Sequence, residues 1–261
     1  MKKEDIINLV NNPGMISGIY NYCDRWCERC SFTSRCANYA ISEQNKSESK
    51  GDPQNETFLE EMHNIFQVTL EMVRESAEEM GMDLDAIDIE NYEEDRKKLE
   101  ELTMAHKCVS RSKHYITLVD EWFDSTKDLI EEKNALWNNT LPGTFEFNAV
   151  QFVENLDDII DIIRWYQHQI HVKLRRAIHG KLEEAVEPGD EYPKDSDGSA
   201  KVALIGIDRS IAAWGMILNL FPENEDKTFK NLVLLEKLRK LTEKEMPNAR
   251  SFHRAGFDDV E

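Results

Sequence analysis

Four of the chain's five cysteines, Cys23, Cys27, Cys30 and Cys36, stand within one short segment with the spacing C-x3-C-x2-C-x5-C. Thiolates are soft ligands, and four in so short a stretch suit Zn²⁺ or an iron–sulfur cluster. Each residue of an α-helix advances about 100° around the axis. Cys23, Cys27 and Cys30 would then share one stripe. A turn near Ser31 to Ser34, with Thr33 or Ser34 capping a new helix, would bring Cys36 back to them. The expectation is a cysteine-rich helical hairpin whose four thiolates converge on one centre. Zinc sites usually pair two C-x2-C knuckles, and only Cys27 and Cys30 form one here. The compact three-plus-one arrangement favours an iron–sulfur cluster, with zinc as the alternative. Arg25, Arg29 and Arg35 could offset the charge of thiolates or cluster, and Trp26 and Phe32 could exclude water from it. The fifth cysteine, Cys108, stands alone in a helical pattern and reads as core.

The first three cysteines resemble the C-x3-C-x2-C motif of radical SAM enzymes, a likeness confined to Cys23–Cys30. That family carries its motif on a loop of a β/α barrel, with three ligands and one open iron. This chain lacks the alternating strand and helix pattern and adds a fourth cysteine, so the family's activity is not extended to it.

Histidines and carboxylates suggest a second site. Di-metal carboxylate bundles use two E-x-x-H motifs and two further Glu residues. This chain has one such motif, Glu60 to His63. Glu154, Asp161 and His168 recur at seven-residue spacing, and His171 follows His168 by about one turn. His106 and Asp120 interrupt an apolar stripe, and Asp208 lies in the most apolar segment of all. A buried carboxylate needs compensation. One reading gathers Glu60, His63, His106, Asp120, Asp161, His168, His171 and Asp208 around a second metal. The other makes His63 an ordinary core histidine and pairs Asp208 with Arg164, Arg175 or Arg209.

These residues must be positioned by helices. Leu59, Met62, Phe66, Leu70, Val73 and Ala77 make a stripe at spacings of three and four. One long helix is expected from Asn91 to about Trp137, and another from Asn148 to His179. The latter has Phe152, Leu156, Ile159, Ile163, Tyr166, Ile170 and Leu174 on its core face. Ala200 to Phe221 carries only Lys201, Asp208 and Arg209 as charges. Its length permits a membrane span. A mid-span Asp208-Arg209 pair argues against one, and Gly206, Ala212, Ala213 and Gly215 suit close packing at the centre of a bundle. Asp226 to Glu245 reads as the last helix. The fold class is all-α: a bundle of long amphipathic helices with an N-terminal cysteine-rich hairpin. The expected division is 1–45 for the hairpin, 56–245 for the bundle and 246–261 for a polar tail.

Composition narrows the function. Asp plus Glu outnumber Lys plus Arg 51 to 32 over 261 residues, a net charge of −19. That disfavours nucleic acid and anionic membrane surfaces, both of which attract basic faces. Met1-Lys2-Lys3 is not followed by the apolar run of a secretory signal. A cytoplasmic location is expected, where clustered cysteines bind metal more often than they form disulfides. No nucleophile triad, phosphate-binding glycine loop or dinucleotide fingerprint is visible. The leading expectation is electron transfer or redox sensing with an unidentified redox or protein partner, and an oxidoreductase if the second site exists. The alternative is a non-catalytic protein with structural zinc and an acidic partner-binding surface.

Overall fold

The computed structural model describes residues 7–9, 11–49, 56–82, 89–140, 145–147, 150–153, 156–186 and 194–259. Its helices are α1 (Ala37–Ser49), α2 (Glu56–Glu79), α3 (Ile89–Ala105), α4 (Lys107–Thr140), α5 (Leu156–Val186), α6 (Asp195–Leu220) and α7 (Glu225–Glu245). The chain is thus predominantly helical, as the apolar periodicity predicts. It divides into two compact units. One comprises Met1–Asp95 together with Arg254–Glu261, and the other Arg96–His253. The residues from 254 onward therefore belong with the cysteine segment, rather than to a separate tail beginning at 246.

In the unit Arg96–His253, α5 packs against α4 and α6, and α7 packs against α6 and α4. The apolar face of α5 drives this arrangement. Ile159, Ile163, Tyr166, Ile170 and Leu174 recur every three or four residues, and all are buried. Fully burying one such side chain contributes about 1.5–3 kcal/mol. On α6, Val202, Leu204, Ile207, Ala213, Trp214 and Ile217 are buried. By length and composition α6 could cross a membrane, and half of its most apolar window lies inside the protein. Gly206 allows its close approach to α5, because an added Cβ would lie 2.8 Å from Tyr166 Cδ1. Gly215, by contrast, faces open space. Trp122 meets Phe123, Trp214 and Phe221 edge-on, with ring centroids 5.1–5.4 Å apart. Both indoles are satisfied: Trp122 donates to Thr228 Oγ1 at 3.0 Å and Trp214 to the Tyr115 hydroxyl at 2.8 Å. Cys108 is core, as expected, and burial pushes its thiol up to about 11.

Three local expectations are corrected. The helix expected from Asn91 to Trp137 breaks at His106. Its Nδ1 accepts the Cys108 N–H at 3.2 Å, and its carbonyl accepts the Ser110 N–H at 2.9 Å, so His106 caps α4. The helix expected from Asn148 begins at Leu156. It is preceded by a two-stranded antiparallel ribbon, β1 (Phe145–Phe147) with β2 (Val150–Val153), where no strand was anticipated. Asp157 and Asp158 then sit in the first turn of α5, where the helix dipole favours negative charge. The apolar segment read from Ala200 begins its helix earlier: Asp195 to Ser199 form the first turn of α6 and are largely buried.

In the other unit, α2 spans the residues from Leu59 to Ala77 that make the expected stripe. Its stripe is not a core, however: Leu59, Phe66 and Val73 are each more than half exposed, and only Ala77 is buried. Met62 lies outside the described side chains.

Candidate metal centre

The segment around the cysteines is not a helical hairpin. Cys27–Arg29 and Thr33–Arg35 are single 3₁₀ turns, and an α-helix begins only at Ala37. The i to i+3 bonds from Cys30 N to Cys27 O (3.2 Å) and from Cys36 N to Thr33 O (3.3 Å) close these turns. Arg25 has a φ of 61°, unusual for a residue with a side chain, and redirects the backbone between Cys23 and Cys27. Asp24 Oδ1 accepts the Trp26 N–H across this reversal at 3.2 Å. Ile16 N donates to Arg35 O at 2.9 Å, tying the start of the segment to its end. Turns, not a helical stripe, bring the four cysteines to the lining of one pocket.

Cys23, Cys27, Cys30 and Cys36 line one pocket, walled by Ile19, Tyr20, Trp26, Phe32, Tyr39 and Phe257. The cavity is about 20 Å³, roughly the room of one water. All four thiols are free and partly buried. The Phe32 N–H points at Cys30 Sγ, 3.4 Å away, a bond that favours the thiolate over the thiol. Burial and then the neighbouring cysteines push Cys27 upward. Burial also raises Cys30, partly opposed by the Phe32 amide. A bound cation would reverse these shifts, because its charge stabilises thiolates. The arginines lie near the segment, with the Arg29 guanidinium 4.5 Å above the Trp26 ring. The donor set is soft, clustered and partly shielded, which fits a thiolate-bound metal. Among the described residues, however, no three His, Cys, Asp or Glu side chains are gathered closely enough to hold an ion. The four sulfurs share a pocket without adopting a ligand geometry.

Among the described residues, the histidines and carboxylates expected to form a second site are not brought together. His63, Asp120, Asp161 and His168 are exposed, and the Glu60 side chain lies outside the described residues. Gln167 Nε2 donates to Asp120 Oδ1 at 2.6 Å. His171 Nδ1 lies 2.9 Å from Ser112 Oγ, whose hydroxyl donates to Val109 O at 2.8 Å. His106 caps α4 and lies 3.9 Å from Glu245, itself bound by Lys181 Nζ at 2.7 Å. Asp208 receives Arg250 Nη1 at 2.5 Å and lies 3.6 Å from Arg239 Nη1. Arginine pairing is thus the outcome at Asp208, through Arg250 and Arg239 rather than Arg164, Arg175 or Arg209. Asp120, His171, His106 and Asp208 each find a protein partner nearby, so their polar atoms exert no demand for a metal.

Sequence reasoning missed Phe257 as a wall of the cysteine pocket. It is an isolated aromatic in a polar stretch, and no local spacing connects it to residues 23–36. It missed Arg250 for the same reason. Compared with protein-family models, curated proteins and solved structures, the chain has no match.

Proposed function

We propose that Cys23, Cys27, Cys30 and Cys36 bind a metal centre, with an iron–sulfur cluster as the leading cofactor and electron transfer or redox sensing as its use. The observation that carries this reading is the shared pocket of four free thiols. Such a cluster would supply one-electron chemistry, while Trp26, Phe32 and Tyr39 would limit its access to water. Structural zinc is the second reading, favoured by the cavity of about 20 Å³, which suits a single ion better than a four-iron cube. In that case the protein is non-catalytic and its acidic helices serve partner binding. Metal analysis and visible absorption of anaerobically purified chain test both. A brown protein containing iron and sulfide supports the first, and a colourless protein with one zinc supports the second. Metal content that survives unchanged in both Cys27→Ser and Cys30→Ser would overturn the assignment of these residues.

A further inference from the structure

We propose that the turn Arg254–Asp259 is a metal-dependent clasp, seated on the cysteine pocket through Phe257 and held there when the four thiolates carry a metal. The inference rests on the metal reading of the cysteines. It extends that reading to a segment distant in sequence.

The turn is braced internally. Arg254 N–H donates to Asp258 Oδ2 at 2.9 Å, and its guanidinium lies 2.9 Å from Oδ1 of the same carboxylate. Gly256 N–H donates to Asp259 Oδ2 at 2.7 Å. Arg254 also covers one face of the Phe257 ring at 4.9 Å. The turn is fitted closely to the cysteine segment. The Phe257 and Phe32 rings meet edge-on, 5.1 Å between centroids. Gly256 has a φ of +79°, and a Cβ there would lie 2.9 Å from Ile19 Cδ1 and 3.0 Å from Ile16 Cδ1. Only glycine combines that backbone with so close an approach.

The coupling follows from what the cysteine segment lacks. Its two 3₁₀ turns contribute few backbone bonds, and such short turns hold their shape poorly without outside support. A metal on the four thiolates would fix Cys23 to Cys36, and with it Phe32, the seat of Phe257. A seated Phe257 in turn walls the pocket and opposes solvent access to the metal. Linkage requires that both effects have the same size: whatever the metal adds to docking of the turn, the turn adds to metal affinity.

The test uses the full chain with Zn²⁺ alone as probe. Hydrogen exchange at the Arg254, Gly256 and Asp258 amides should slow on adding Zn²⁺, while amides in the middle of α5 stay unchanged. Phe257→Ala should abolish that slowing and weaken Zn²⁺ binding roughly 10- to 100-fold, the range for groups that support a metal site from outside its ligands. If Zn²⁺ binds the wild-type chain but leaves exchange in the turn unchanged, the clasp is overturned and the metal reading stands. The same holds if Phe257→Ala binds Zn²⁺ as tightly as wild type. If the wild-type chain binds no Zn²⁺ and carries no other metal when purified, both fall. The exchange measurement on unaltered protein decides the matter even if Phe257→Ala fails to fold.

Discussion

The helical unit and the cysteine unit are built on different principles. The unit Arg96–His253 buries large side chains on every packed helix, including Trp122, Trp214, Tyr115, Tyr166 and Phe221. Charged groups at its surface pair nearby, as Asp208 does with Arg250. In the cysteine unit, the buried apolar side chains among the described residues are Ile19, Ala37 and Ala77. Around its pocket the chain is held by turns, by a few aromatic contacts and by the segment from 254 onward. Small segments without a substantial core usually need a staple, either a disulfide or a metal. Four free cysteines occur in the unit whose described residues bury few apolar side chains, and Cys108 of the other unit is packed as a hydrophobe. Cysteine is partly exposed in the one unit and fully buried in the other.

That contrast can be broken most directly in the helical core. Trp122→Ala removes three edge-on aromatic contacts and the bond to Thr228, and should destabilise the helical unit by about 3–5 kcal/mol. Denaturant unfolding followed by far-UV circular dichroism measures it. Zn²⁺ uptake by the cysteines should persist at denaturant concentrations below the transition. Joint loss of both would show that the two regions do not stand on separate supports.

A smaller loss, about 1–3 kcal/mol, is expected from Gly206→Val, because the new side chain must displace the Tyr166 ring between α5 and α6. Gly215→Ala, on the same helix but facing open space, is the control and should gain slightly in helix propensity. Equal effects of the two substitutions would contradict the packing described.

Asp208→Asn should cost no more than about 1 kcal/mol, since the partners are partly exposed and Arg250 retains Glu243. Loss of a bound metal in this variant would revive a site at Asp208.

The mildest effect concerns pH. Burial, as the largest cause, holds His106 and His171 below the free value of 6.5. Lys181 and Lys107 reinforce this at His106 while Glu245 opposes it, and Arg175 and Lys113 reinforce it at His171. The unfolded chain therefore takes up protons first as pH falls. The contribution is present above about pH 6.5 and is lost as pH drops through the folded-state values. The melting temperature of the helical unit should decline from about pH 7 to about pH 5, and His171→Gln should flatten part of that slope. A rise in melting temperature over the same range would refute the assignment.

The helices were legible because burial on one face leaves a three-to-four-residue period. Ile159, Ile163, Tyr166, Ile170 and Leu174 display that period and are buried. The same period misleads at α2, where Leu59, Phe66 and Val73 repeat regularly but remain exposed. Periodicity records amphipathicity, not the presence of a neighbour. The cysteine cluster was legible as a set of neighbouring thiols and illegible as a backbone. Spacings of four and three suit a helix, yet Arg25 at positive φ and the Asp24 side-chain bond lead the chain into turns. His106 read as a polar intruder in a stripe because its capping bond to the next turn depends on a bend that periodicity does not encode. Contacts such as Phe257 with Phe32 and Arg250 with Asp208 depend on tertiary return of the chain and leave no local trace.

The position of Phe257 also sets an order of events during synthesis. About 220 residues separate it from Cys36. At translation rates of roughly 5–20 residues per second, the thiols precede their aromatic wall by about 10–45 s. Throughout that interval the cysteines stand in a pocket that lacks one side. On the proposed metal reading, delivery to the nascent chain would meet a site that Phe257 does not yet wall.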